Sequence, residues 1–274
     1  HLLRCIDSIK NIVSDICVID SFSTDRTKEI ALENDARYYQ KEFITYADKF
    51  NWALENCDIK EGWIWRIDAD EYVTPELALK INHVINNISD DTTGIYVKRK
   101  IVFLGRPILH GGWYPVWYIK LFRFEHGRCE NRQLDEHIVL KDGNTIKVNG
   151  DQVDENLNDL SIWTQKHNRY ATMEMIEHFK TIYNIGNEYP NIVPKLFGTT
   201  IEIKRWLKNL YAKLSLFIRP LLFFLYKYFV QLGFLDGKSG LVWYVLQGLW
   251  YRFLVDAKIY EIIKIFGTDK EKVK

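Results

Sequence analysis

Apolar side chains recur at helical spacing from Leu2 through Leu3, Ile6, Ile9 and Ile12, which predicts an amphipathic helix over 1–12. Residues 15–20 (DICVID) break that period with a short apolar run closed by an aspartate, the pattern of a strand buried in a parallel sheet. Ser23 or Thr24 then offers a hydroxyl cap to a helix over about 25–35. Residues 36–39 read as a second short strand, and 46–56 as a helix with Phe50 and Leu54 inward. A third strand over 63–67 ends on Asp68-Ala69-Asp70-Glu71. Thr74-Pro75-Glu76 starts the next helix with a capping hydroxyl, a proline in the first turn and an acid near the positive end of the dipole. Such strand–helix alternation predicts βαβ units around a mostly parallel, Rossmann-like sheet flanked by helices.

After residue 94 the runs become strand-like, at 94–104, 116–124 and 134–140, with Gly111-Gly112-Trp113-Tyr114-Pro115 looping between the first two. A long helix is predicted over 160–187. The tail, 205–264, differs from everything before it. Residues 214–235 (LSLFIRPLLFFLYKYFVQLGFL) are apolar but interrupted by Arg219, Pro220 and Lys227. Residues 241–251 carry no charge but fall short of the roughly 20 apolar positions that span a bilayer. These segments read as interfacial helices or a re-entrant hairpin, set against the plainer reading of a packed helical subdomain.

Composition adds two points. Hydrophobic residues make up 47% of the chain and aromatic residues 15%, enough for a sizeable core and too many for a disordered chain. The near-zero net charge hides an asymmetry: from Lys204 to the end, thirteen Lys and Arg face five Asp and Glu, so the remainder is acidic. A basic, aromatic tail suits an anionic surface. No nucleic-acid-binding motif accompanies these basic residues, which sit among Leu, Phe and Trp, so a membrane surface is expected and nucleic acid is not. Cys5, Cys17, Cys57 and Cys129 are scattered with no CxxC pair, so a reducing compartment is the expectation.

The sharpest chemical signal is Asp68-Ala69-Asp70. Two carboxylates at a strand end project into the crevice where open α/β sheets bind ligands. They suit Mg²⁺ or Mn²⁺, which take oxygen ligands and bridge to phosphate oxygens. The second signal is 20–27 (DSFSTDRT), in which Asp20 and Asp25 are either nucleoside contacts or turn and capping residues. For Ser23 and Thr24 capping is the better reading.

Residues 18–27 (VIDSFSTDRT), followed some forty residues later by 65–71 (WRIDADE), resemble the family 2 glycosyltransferases with the GT-A fold. Lys49-Phe50-Asn51-Trp52-Ala53 is similar to that family's basic-x-Asn-x-Ala helix. Residues 163–171 (WTQKHNRYA), with 234–238 (FLDGK) and 250–258 (WYRFLVDAK), resemble a bacterial subgroup that builds lipopolysaccharide core, capsule or O-antigen sugars. The resemblance implies a metal-dependent, inverting transfer from a nucleotide-sugar donor, a UDP-hexose, to a glycan or lipid-linked acceptor at the cytoplasmic face of the bacterial inner membrane. It implies Asp20, Asp25, Lys49, Asn51 and Asp68 beside the donor, and Asp68 and Asp70 at the metal. The catalytic base falls on Asp135 or Glu136, with Glu136 preferred; His137 reads as an ordinary strand histidine. The family begins with a strand that this sequence starts after, so the natural N-terminus is expected upstream.

Trp113, Tyr114 and Trp117 fit an acceptor platform and fit core packing equally well. The expected organisation is a GT-A catalytic domain over 1–203 and membrane-interfacial helices over 204–274. Two rival readings remain. One is a haloacid-dehalogenase-type phosphohydrolase, which also carries a strand-end DxD; the other is a membrane-associated binding module with a degenerate transferase fold.

Overall fold

The computed structural model describes residues 1–132, 134, 136–183, 193, 195–198 and 200–267. The chain forms two compact units, one of 1–129 with 136–157 and the other of 130–135 with 158–274.

The first unit is built on a six-stranded sheet. Its strands are β3 (Trp63–Trp65), β4 (Glu71–Val73), β5 (Thr92–Phe103), β6 (Arg106–Pro107), β7 (Val116–Arg123) and β10 (Asn144–Glu155). The order is β3-β7-β5-β10-β4, with β6 paired to β5. The sheet is mixed. β10 runs parallel to β5, whereas β7, β3, β4 and β6 join antiparallel. The other parallel pair stands apart: β1 (Cys17–Asp20) with β2 (Arg37–Gln40). Finally β8 (Gly127–Cys129) pairs antiparallel with β9 (Ile138–Leu140).

Helices α1 (Leu2–Ile9) and α4 (Pro75–Ile85) cover one face of this sheet. Their Ile9, Leu77 and Ile81 pack with Val73, Ile95, Val97, Leu121 and Val148. Fully burying each such aliphatic side chain contributes about 1.5–3 kcal/mol. α4 starts as its sequence predicts, with Pro75 in its first turn and the Thr74 side chain accepting from Leu77 N. α3 (Tyr46–Asn56) matches its predicted span, and Thr45 accepts from Asp48 N at its N-cap. Phe50 and Leu54 of α3 pack against Phe122, Cys129 and Ile138. Ser23 and Thr24 do not cap α2 (Thr27–Glu33), because Ser23 turns back toward Asp20 and Asp25 accepts from Thr27 N instead.

Side chains across the sheet show that it curls. Lys120 on β7 bonds Glu71 on β4, although three strand spacings, about 14 Å on a flat sheet, lie between those strands. Trp65 on β3 likewise reaches Gln152 on β10 at 3.0 Å. β3 and β4 are the two ends of the strand path, so residues 66–70, which hold the DxD, join one edge of the curled sheet to the other.

The second unit is helical. The long helix predicted from 160 is present as α5 (Leu160–Tyr183); residues 184–187 of that expectation lie outside the described residues. Ala171 and Phe179 of α5 pack with Tyr251, Val255 and Ile259 of α9 (Tyr251–Phe266). Its apolar face is therefore covered by the tail. The tail also contains α6 (Thr200–Ala212), α7 (Ile218–Leu225) and α8 (Gly237–Trp243), with π-helical turns at 226–230 and 244–250.

Candidate active site

Glu71 organises the site from below. It is buried at 2% exposure, and its carboxylate accepts from Lys120 Nζ at 2.8 and 2.9 Å, Gln152 Nε2 at 2.5 Å and the backbone N–H of Asp68 at 3.0 Å. Burial pushes its carboxyl above the ordinary value, and the Lys120 ammonium opposes that. A return bond from Glu71 N to Asp68 O, 2.8 Å, closes the turn.

Arg4 of α1 clamps the other end. Its guanidinium donates to the Asp70 carbonyl at 3.1 Å and to Glu155 through both the carboxylate, 2.5 Å, and the carbonyl, 2.6 Å. Asn156 donates to Asp70 Oδ2 at 3.1 Å. Asp68 is exposed and Asp70 half-buried. The backbone that carries the two carboxylates is thus fixed from α1, β4, β7 and β10.

Arg66 lies on the same segment. Its backbone N–H donates to Lys120 O at 2.8 Å, and its carbonyl accepts from Gln152 at 3.3 Å. The guanidinium sits over the Phe50 ring, 5.3 Å from the centroid, and donates to Glu136 Oε1 at 2.5 Å and Cys129 Sγ at 3.3 Å. Burial works against its charge, but Asp68, Cys129 and Glu136 together drive its pKa up. Arg66 thereby ties the DxD turn to the candidate base. Asp135 lies outside the described residues, and His137 is buried with its ring 5.6 Å from that of Tyr118.

Asp20 ends β1 buried at 6% exposure. It accepts from Ser23 N at 2.8 Å, Ser23 Oγ at 2.5 Å and Tyr38 Oη at 2.9 Å. Burial alone would raise its carboxyl, yet these bonds outweigh it and hold the group below the usual carboxylate range. Lys49, on α3, places Nζ 3.4 Å from Ser21 Oγ. Burial lowers its pKa, while Asp20 and Asp68 oppose that. One carboxylate from each acidic motif thus acts on this ammonium.

Asn51 and Asp25, both expected beside the donor, make local bonds. Asn51 spends its amide on Cys129, donating to its carbonyl and accepting from its N–H, both at 2.9 Å, so it ties α3 to β8. Asp25 is exposed and accepts from Thr27 N at 3.0 Å, a bond of the helix start. In the Gly111–Pro115 loop, both glycines adopt positive φ, 63° and 68°, which lets the chain double back before β7. Tyr114 Oη accepts from Lys98 and donates to Asp151, both at 2.9 Å, and the Nζ atoms of Lys98 and Lys147 lie 6.0 and 5.5 Å from the Trp117 ring centroid. These aromatics are held by neighbouring charges on the sheet.

Residues 1–143 match the family model for glycosyl transferase family 2. The chain belongs to that family. The matched segment includes the Asp20 strand, the Lys49 helix, the DxD turn and Glu136, which decides against the phosphohydrolase. An uncharacterized glycosyltransferase of Rickettsia felis is 36% identical over 91 residues, 33% of this chain and 31% of that protein. One from Rickettsia prowazekii is 31% identical over 106 residues, 38% of this chain and 36% of that protein. The chain thus spans about a third of the length of the curated relatives it matches.

In this family 2 member, no cluster of three or more His, Cys, Asp or Glu forms a metal cage among the described residues. Two carboxylates on a fixed turn are nevertheless the donor set that suits Mg²⁺ or Mn²⁺ bound partly by a substrate's phosphates. Sequence reasoning missed the supports: Arg66, Glu71, Lys120 and Gln152. Arg66, Glu71 and Lys120 were signalled as single charges within or beside apolar strands, in WRIDADE and YIKLF, whereas the neutral Gln152 gave no such signal.

Proposed function

We propose that the chain transfers a sugar, with inversion, from a nucleoside-diphosphate donor to a glycan or lipid-linked acceptor of a bacterial cell-surface polysaccharide. A UDP-hexose is the donor we favour. The observation that supports this reading is the family 2 match over residues 1–143, within which Asp20 and Asp68 both act electrostatically on Lys49, whose Nζ lies beside Ser21 Oγ.

Asp20 shapes the loop at the nucleoside end, because its own loop takes most of its acceptor capacity. Asp68 and Asp70 would hold the divalent metal, whose bound charge offsets that of the departing diphosphate. Glu136 is the base: it takes the acceptor hydroxyl proton as that oxygen attacks the anomeric carbon and the bond to the diphosphate oxygen breaks. Arg66 fixes Glu136 for this and is a positioning residue.

A screen of nucleotide sugars against a lipid-linked acceptor pool tests the proposal, with nucleoside diphosphate release as the readout. Release should require both donor and acceptor, stop in excess chelator and return with Mn²⁺ or Mg²⁺. Full activity in chelator would remove the metal from the reading. Donor binding with no turnover would favour the degenerate binding module.

A further inference from the structure

Within the second unit, α7 runs into the π-helical turn 226–230 and then an elbow, where segments 218–230 and 233–266 meet at 73°. No single described helix is long and apolar enough to cross a bilayer, although the bent pair passes that test together. Leu221, Leu225 and Phe229 recur every four residues and so share a helix face, which Val230, Leu232 and Leu235 continue around the elbow. All six are between 40% and 69% exposed. A contiguous apolar surface of this kind marks an interaction site.

The elbow is a built feature. Leu232 turns the chain with a left-handed φ of 61°. Gly233 lies against the Tyr244 ring, where an added Cβ would come within 2.5 Å of ring carbon. Tyr244 Oη donates to buried Asp236 at 3.0 Å. Other aromatics of this stretch are packed: Phe223 lies beneath the Arg252 guanidinium at 3.9 Å, and Tyr228 packs on Phe224 and Tyr244. The corner is thus fixed from inside while its apolar side chains face outward.

The charges identify what would cover it. Arg219, which the sequence sets inside the apolar run, is buried and paired with Asp256 through Nε at 2.8 Å and Nη2 at 2.5 Å. Lys227 is half-buried and donates to Gln231 Oε1 at 2.9 Å. Both aspartates of the described tail, Asp236 and Asp256, are buried, whereas Lys213, Lys238 and Lys264 are exposed against one exposed acid, Glu261. The outward charge of the described tail is therefore cationic on balance. A second copy would bring like charges together, whereas an anionic lipid surface complements both the cationic rim and the apolar ridge.

We propose that the α7 stripe and its elbow lie in the headgroup–acyl boundary of an anionic bilayer, as an interfacial wedge. The proposal does not rest on the transferase reading, and its test uses no activity.

The full chain should float with phosphatidylglycerol-rich vesicles, float poorly with phosphatidylcholine alone, and release partly in high salt. Leu225→Asp with Phe229→Asp should cut partitioning about tenfold or more, with the melting temperature unchanged because both side chains are exposed. Leu32→Asp, at an exposed position in the first unit, should leave it unchanged. If the apolar variant misfolds, Lys213→Glu with Lys238→Glu gives the second measurement: it should weaken binding to anionic vesicles specifically. Equal flotation by wild type and both variants, or none by wild type, overturns the wedge. So does a wild-type dimer that the Asp variant dissociates while vesicles capture neither; the stripe is then a subunit interface.

Discussion

Arg66 and Glu136 meet across seventy residues of chain, with Nη2 donating to Oε1 at 2.5 Å and both side chains largely shielded from water. The cation sits two positions before Asp68, so the segment that carries the carboxylates proposed for the leaving group also holds the carboxylate proposed for the acceptor.

The consequence is non-additivity. Glu136→Gln should lower kcat by about a hundred- to ten-thousandfold while leaving donor KM near its starting value, since the carboxylate acts on the acceptor. Arg66→Met should lower kcat by itself, yet cost little more in the Glu136→Gln background, because Arg66 acts through that carboxylate. Additive losses in this cycle would mean that Arg66 serves the donor directly. Unchanged kcat in Glu136→Gln would move the base to another residue.

Glu71 and Lys120 make a stability prediction. Glu71→Gln leaves the Lys120 ammonium buried without its carboxylate, and breaking such a pair costs about 3–5 kcal/mol. Urea unfolding should show that loss. Glu71→Gln combined with Lys120→Met should regain much of it, since no charge is then stranded. The double variant should still bind donor and metal more weakly, because the Asp68 N–H has lost its charged acceptor. Recovery of stability and of donor KM together would show that the pair serves the core alone.

His167 sets a pH dependence in the helical unit. Its ring stacks on Trp163 at 3.5 Å, and Nδ1 donates to the Trp163 carbonyl at 2.8 Å. Burial drives its pKa from 6.5 down to about 4, with Lys166 adding to the effect and the carbonyl bond opposing it. The folded state therefore favours the neutral ring, so the unfolded chain binds the extra proton between pH 6.5 and 4. Stability from this group is complete above about 6.5 and is lost as pH falls through that window. His167→Phe should melt with a shallower pH dependence there, and His178, also driven down by burial, should preserve part of the slope. An unaltered slope would show that His167 stays protonated in the stack.

Much of this was legible in the chain. The helix 46–56, the Thr74-Pro75 start and the strand closing on Asp20 carry local signals, a cap or an apolar run, that tertiary contacts do not override. β10 was not legible, though it lies within the central sheet. Its Asn149-Gly150 reads as a turn, and a register shift between Lys147 and Asp151 breaks the alternation that identifies a strand. β4 was hidden because three residues give no period. The antiparallel pairing of β7 with β3 and β5 was not legible either, since strand direction leaves no mark on the apolar pattern of a single strand. Among the site residues, Asp20, Lys49, Asp68, Asp70 and Glu136 come together, whereas Asn51 and Asp25 have local structural work. Short motifs specify residue types; whether an amide faces a ligand or a neighbouring backbone is set by strands far away in sequence.

Because residues 66–70 join the outermost strands of a sheet that curls back on itself, they act as the clasp of a bracelet. The Asp68 end of this turn hangs on Glu71, which Lys120 and Gln152 hold from β7 and β10. Whatever loosens those two strands loosens the acidic turn with them.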